Sequence, residues 1–342
     1  MTKRPGTFAA AGAAVFAAAI SLAAFPPRAG QLGPPGAEPG IEKLAVADGT
    51  LLFREKSSAA RPTAVVGGEA VFAPRDARAP EVLSLLPFIN GEASVVVTRR
   101  PADKKLVAYM RDSKRNTFEA LYERVDDPGW TMEALDWSLA NQVFLYEHQI
   151  SGAGRWLGKT TAVTVFPRAT VDLTARHGVR GIPSVDSAGN RVVFLVGPVD
   201  TLGQPYHLEL LDLQTGAKRT IYERFGTRVI VSNGEPTMTA TRPRWAREDR
   251  AVVFADTDHS VDGPPTVIQV PVADGAGPRI ERKLDAPGQA LDLLLGPTGS
   301  VCVLMRRTAD GRYLVVALDM ASGRLRELLS RERPIELLAV VP

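Results

Sequence analysis

The sequence predicts an all-β chain, a six-bladed β-propeller built from four-stranded antiparallel blades. Long helical periodicity is nearly absent, while short β-branched and aromatic runs recur between turns. Six stretches also share one form, an apolar residue, a polar turn and then a strand-like run. They are LAVADGTLLF, LPFINGEASVVV, LDWSLANQVFLY, IPSVDSAGNRVVFLV, PRWAREDRAVVF and DLLLGPTGSVCVLM. Their turn position holds Gly49, Gly91, Asn141, Gly189, Asp249 and Gly299, residue types that tolerate the positive φ of a tight hairpin. The spacings are 42, 50, 48, 60 and 50, with 43 residues left to the end. That is the period of a four-stranded blade.

Taken in order, the chain begins with a targeting segment. Lys3 and Arg4 precede an apolar run of 18 residues from Phe8 to Phe25, and small residues at Ser21 and Ala23 suit cleavage after Ala23. The run is nearly long enough for an uncleaved membrane anchor, but alanine dominates it and is only weakly apolar, which favours cleavage. Either way the rest of the chain is expected outside the cytoplasm. Residues 26–41 are rich in Pro and Gly and read as a linker, leaving 42–342 for the propeller.

Within a repeat the later strands are legible too. The second gives SVVVTRR, PADKK, LVAYMRD and NTFEALYERV, and the fourth gives RVVFLVG, YHLELLDLQTG and AKRTIYERF. The last runs DLLL, VCVLMRR, TADG, RYLVVALDM and SGRLRELLS. The terminal PIELLAVVP reads as one more strand, able to pair with the first blade and close the ring. Residues 126–139, DDPGWTMEALDWSL, are the exception, where Asp followed by Pro is expected to start a short helix.

These repeats resemble those of TolB-like β-propellers, whose pattern runs roughly P-x-W-S-P-D-G-K-x-I-A-F and later D-x-x-T-G. Pro183, Asp186, Gly189, Asn190, Asp212, Thr215 and Gly216 match it, as do Pro243, Trp245 and Asp319, and Trp137 and Ser138 in the third unit. The resemblance covers about residues 44–340. It implies a periplasmic or cell-envelope binding or scaffold module whose partner is a protein or an envelope component such as peptidoglycan-associated material, with no cofactor.

Composition agrees with a folded, uncharged body. Of 41 basic residues, Lys3, Arg4 and Arg28 lie in an acid-free first thirty, so 38 basic residues face 38 acidic ones beyond it. A neutral body lacks the basic balance of a nucleic-acid binder. The one cysteine, Cys302, sits in the apolar SVCVLM, so it reads as a buried small hydrophobe and forms no internal disulfide.

Local motifs add little chemistry. SGAGRWLGKTT, residues 151–161, approximates a phosphate-binding loop, but the following TAVTVFP reads as a strand rather than the helix such a loop requires. Asp256, Asp258 and Asp262 in DTDHSVDG offer oxygens to Ca²⁺. Val261 and Val267, however, stand where a calcium loop needs its Gly and its bidentate Glu, so an acidic inter-strand loop is expected. No G-x-S-x-G occurs, and His148, His177, His207 and His259 have no metal spacing with one another. No catalytic residue is assigned. Trp137 and Trp245 occupy equivalent repeat positions and are expected to pack between blades.

The repeat geometry gives the sharpest expectation. Strands that alternate in direction put the tight turns on one rim and the longer connections on the other. Binding residues favour loops held by a rigid scaffold. Arg155, Trp156, Lys159, Asn233 and Glu235, with Asp256, Asp258 and Asp262, are therefore expected on a partner-binding rim of a monomer. Two other readings fit the same sequence. One is a lyase- or lactonase-type enzyme acting on a carbohydrate or lactone in the central channel, with Ca²⁺ or another metal. The other is an extracytoplasmic sensor anchored by residues 8–25.

Overall fold

The computed structural model describes residues 41–341, apart from 48, 56–64, 67–68, 71–80, 88–92, 101–102, 113–114, 116, 139–140, 151–155, 180–182, 197–205, 225–228, 233–234, 239, 258–262, 274–276, 297–298 and 308. The run expected to target the chain, the expected linker up to residue 40 and Gly91 lie outside the described residues. No helix among the described residues is long and apolar enough to cross a membrane.

The chain opens with β1 (Ile41–Val46) and β2 (Gly49–Glu55), then a small hairpin of β3 (Val65–Val66) and β4 (Glu69–Ala70). Blade 2 is β5 (Glu81–Pro87), β6 (Ala93–Arg100), β7 (Lys105–Asp112) and β8 (Thr117–Val125). Blade 3 is β9 (Trp130–Ser138), β10 (Gln142–Ile150), β11 (Trp156–Thr164) and β12 (Ala169–Asp172), followed by the single-turn helix α1 (Leu173–His177). Blade 4 is β13 (Pro183–Val185), β14 (Arg191–Val196), β15 (Tyr206–Asp212) and β16 (Lys218–Arg224). A second small hairpin, β17 (Val229–Ser232) and β18 (Glu235–Met238), leads to blade 5. That blade is β19 (Arg244–Trp245), β20 (Ala251–Asp256), β21 (Thr266–Pro271) and β22 (Ile280–Lys283). Blade 6 is β23 (Gly288–Leu295), β24 (Val301–Arg307), β25 (Tyr313–Leu318) and β26 (Leu325–Arg331), and β27 (Ile335–Val341) ends the chain.

The architecture is a six-bladed β-propeller of antiparallel sheets. Blades 2 to 6 are four-stranded meanders. The inner strands touch in cyclic order, β5 to β9, β13, β19, β23, β27 and back to β5, so the sheets surround one axis. The terminal strand closes the ring as expected, pairing with β2 from Thr50↔Val341 to Glu55↔Ile335. Blade 1 departs from the four-strand expectation. It has three strands among the described residues, in the order β1, β2, β27. The C-terminal strand takes the inner place, so the N-terminal hairpin supplies the middle and third strands in reverse of the usual sequence.

Stacking sheets against each other buries both faces of the middle strands, so β6, β14 and β20 read as continuous apolar runs rather than alternating ones. Each core cluster spans two neighbours. Phe194 and Leu211 of blade 4 join Phe144 and Tyr146 of blade 3, while Leu208 and Tyr222 join Phe254 and Ile268 of blade 5. Cys302 is fully buried, as expected. Trp137 and Trp245 pack against inter-blade clusters, and the Trp245 indole N–H donates to the Ser184 carbonyl at 3.1 Å.

The recurring turn residues have the backbone that the repeat implied. Asn141, Gly189, Asp249 and Gly299 have φ of 63°, 74°, 54° and 95°. Gly189 is constrained twice, because an added Cβ would lie 2.6 Å from the Ser138 hydroxyl oxygen of blade 3. The next turn is tied likewise, with Ser187 N–H donating to the Asp249 carboxylate at 3.0 Å and the Arg191 guanidinium to the Asp249 carbonyl at 3.0 Å. The D-x-x-T-G turns are also local locks. Asp212 accepts from the Thr215 N–H at 2.8 Å and its hydroxyl at 2.9 Å, and Asp319 accepts from the Ala321 N–H at 2.9 Å.

The helix expected within 126–139 does not form. Residues 127–130 make a tight turn closed by Trp130 N–H to the Asp127 carbonyl at 3.1 Å, with Gly129 at φ 81°. Pro128 and Gly129 therefore sit at the middle of a turn, where Pro fixes one φ and Gly supplies the positive one. The rest becomes β9, whose Met132 and Leu135 are buried by neighbouring sheets. The helix that does form, α1, was not anticipated. Asp172 caps it by accepting from the Ala175 N–H at 2.8 Å, and Gly178 ends it at φ 66°. Of the SGAGRWLGKTT stretch, residues 156–161 belong to β11, a strand rather than a helix.

Gly189→Ala is expected to lose about 2 kcal/mol, combining left-handed backbone strain with the Ser138 overlap, as read by urea denaturation. A Gly277→Ala control also has φ +87° but meets nothing within 4 Å, and should lose less. Acid sensitivity follows from the turns. The Thr215 N–H holds the Asp212 carboxyl below its ordinary value, the Ser322 N–H does so for Asp319, and Arg307 pulls Asp310 down to about 2. Depressed carboxyls contribute stability that is present above the unfolded value near about 3.9 and lost as pH falls through the folded one. The melting temperature should therefore fall between about pH 4 and pH 2, and less so in Asp310→Asn.

Candidate functional site

Inner strands line the axis, so their side chains decide what the channel offers. Four of them, β5, β9, β23 and β27, carry a one-residue bulge, and in each the extra residue is a leucine: Leu83, Leu135, Leu291 and Leu338. A bulge sharpens twist and turns the next side chain away from where a regular strand would aim it. All four leucines line a cavity of about 610 Å³ at the axis. The residues that follow the first three are Ser84, Asp136 and Asp292. In blades 4 and 5 the matching positions, just before Val185 and Trp245, hold Ser184 and Arg244.

This layer ties blades 2 to 6 in succession. The Ser84 hydroxyl accepts from the Ala134 N–H at 3.1 Å, and Asp136 accepts from the Val185 N–H at 2.8 Å. The Ser184 carbonyl takes the Trp245 indole, and Arg244 Nε donates to the Leu293 carbonyl at 3.2 Å. Arg242 adds a second link, with Nη2 at 2.6 Å from Asp136 and Nε donating to the Pro183 carbonyl at 3.0 Å.

The charges are unevenly matched. Arg242 is engaged by Asp136 and Pro183 and is 11% exposed. Burial lowers its guanidinium to about 10 against the pull of Asp136, with Arg244 acting in the same direction as burial. Arg244 holds Asp292 only loosely, at 3.7 Å. Burial raises the Asp292 carboxyl, outweighing Arg244 and the Leu293 N–H. Burial would also raise Glu133, but its 3.1 Å contact with His148 and the nearby Arg242 and Arg244 hold it below the ordinary range.

The residues expected on the loop rim are only partly visible. Arg155, Asn233, Asp258 and Asp262 lie outside the described residues. Trp156 begins β11, and Glu235 begins β18. Lys159 lies within β11, half-exposed, 3.4 Å from Asp172. Asp256 ends β20 and is buried, 1% exposed. Among the described residues no group of three His, Cys, Asp or Glu is assembled to hold a metal. His207 is a strand residue beside Glu209, and His177 ends α1.

Glu133, Arg242, Arg244, Gln289 and Asp292 were not singled out from the sequence. A signal existed for two of them. Arg244 immediately precedes the repeat tryptophan Trp245 as Asp136 precedes Trp137, and Asp292 takes the same place before Leu293.

No family model matches this chain, and no curated protein does. Solved structures are similar to it in fold. TolB from Acinetobacter baumannii is 14% identical over 71% of this chain and 54% of its own, with a TM-score of 0.47. An oligogalacturonate lyase in complex with manganese is 12% identical over 72% of this chain and 64% of its own, with a TM-score of 0.46. A chain of the nidogen/laminin complex is 11% identical over 88% of this chain and 99% of its own, with a TM-score of 0.51. This chain therefore spans 54% of the TolB chain and 64% of the lyase. At these identities the likeness is one of fold.

Asp136→Ala leaves Arg242 without its carboxylate and Val185 without its acceptor. A loss of about 3 kcal/mol is expected on urea denaturation, and adding Arg242→Met should restore part of it.

Proposed function

We propose that this chain is an exported propeller, periplasmic or held in the cell envelope, that works as a binding or scaffold module. Its partner is a protein or an envelope component such as peptidoglycan-associated material. The observation that carries this reading is the inter-blade bonding of the inner layer. Ser84, Asp136, Ser184 and Arg244 are each engaged with the neighbouring blade, which makes the ring a rigid platform for its loops. Residues 151–155, 197–205 and 258–262 each connect the second and third strands of a blade, and in antiparallel meanders such connections share one rim. On this reading Arg155, Trp156, Asn233 and Glu235 would supply charge, an aromatic anchor and hydrogen-bonding groups to the partner. Aromatic and arginine side chains dominate binding energy at such surfaces.

A second reading has its own support. The 610 Å³ axial cavity is of a size that holds small ligands, and its carboxylates would suit an enzyme acting on a carbohydrate or lactone in the channel.

The test is crosslinking in cells followed by pull-down with the wild-type chain and with a chain carrying Arg155→Ala and Trp156→Ala. The double substitution should reduce partner capture by about tenfold or more, equivalent to about 1.4 kcal/mol, with an unchanged melting temperature. An unchanged set of captured partners rules the rim out. Amino-terminal sequencing of the mature protein should find a start after Ala23, whereas an intact terminus in the membrane fraction supports the anchored sensor.

A further inference from the structure

The axial cavity is lined by groups whose bonding within the ring is incomplete. Asp292 is 30% exposed at the side chain, and Glu133 is 47% exposed. Arg242 and Arg244 both act on these carboxylates, but Arg242 also pairs with Asp136 and Glu336 lines the same cavity, so carboxylates outnumber guanidinium groups here and the wall favours a cation. Gln289 lines the same wall and is only 6% exposed, yet its side-chain N–H₂ has no hydrogen-bond partner among the described residues. A buried amide donor left unpaired gains a bond from any acceptor that enters beside it. Beside these lies Leu291, the residue extruded by the β23 bulge, a large apolar side chain 37% exposed. Leu83 and Leu86 of β5 line the same cavity.

Carboxylates, an amide donor and an apolar wall together specify one kind of molecule. We infer that the channel binds a primary amine adjacent to a carbonyl and an apolar side chain, the amino-terminal residue of a peptide. The ammonium pairs with Asp292 and Glu133. The carbonyl accepts from the Gln289 amide, and the side chain lies against Leu291 and Leu83. The cavity volume falls within the range of small-molecule and peptide-end sites. Amine capture is independent of what the loop rim holds, so it stands or falls apart from the proposal above.

The experiment is titration calorimetry of the full chain with the tripeptide Leu-Gly-Gly and with its N-acetylated form. The free amine should bind, and acetylation should weaken binding by about tenfold or more, because it removes the charge and the donors. Asp292→Asn and Glu133→Gln should each weaken the free peptide by about fivefold or more, and Gln289→Leu by about threefold. Thermal melting of each variant confirms that it is folded. If Asp292→Asn is not folded, Glu133→Gln and Gln289→Leu decide the outcome. The inference is overturned if the acetylated peptide binds as tightly as the free one. It also fails if neither binds at about 10 mM, or if the folded variants bind Leu-Gly-Gly as the wild type does.

Discussion

Closure is the constraint on which the rest of the molecule depends. A blade cannot bury both faces alone. It needs a neighbour on each side, and only a ring gives every blade two. Here the ring is closed by pairing β2 with β27, the second strand of the chain with its last. The apolar contacts follow that seam. Leu51 and Phe53 of β2 pack with Ile335 and Leu337 of β27 and with Leu304 and Val315 of blade 6. Ion pairs cross the same region, from Arg331 at the end of β26 to Glu42 and Glu55 in the N-terminal hairpin. These are partly exposed pairs, and apolar burial outweighs them in holding the seam.

Around the axis, polar chemistry is divided between two tasks. One set of side chains engages backbone groups of adjoining blades that would otherwise be left unpaired, and Asp136 serves both the Val185 N–H and Arg242. Another set, Glu133, Gln289 and Asp292, faces the cavity with its bonding less complete. Farther out, the polar links are structural. Glu147 is buried and takes the Tyr122 hydroxyl at 2.8 Å together with the Arg124 guanidinium, joining blade 3 to blade 2.

Much of the fold was legible because tight turns impose strict backbone demands that few residue types satisfy. Asn141, Gly189, Asp249 and Gly299 recur for that reason, and Asp212 and Asp319 recur because an Asx turn needs a short carboxylate. The terminal strand was legible because PIELLAVVP is an apolar run with no partner of its own in the last blade. What escaped was non-local. DDPG suits either a helix start or a turn, and only the sheets on each side of β9 decide between them. The three-stranded blade depends on which end of the chain takes the inner place, and local pattern does not encode that. The channel set escaped because its members lie far apart in sequence and converge only through ring symmetry. Gln289 is unremarkable in GQALDLLL until its blade is placed beside the others.

The seam between β2 and β27 also orders events in time. Five blades need only contacts within a neighbouring pair of repeats, so they are able to assemble as the chain is made. The sixth waits for β27, the last strand of the ring in chain order, and bringing it to β2 adds a closure entropy that grows only slowly with chain length. Until then β2 presents an unpaired strand edge, a surface that invites wrong pairings. Any such mispairing would have to be undone before β27 could lock the circle.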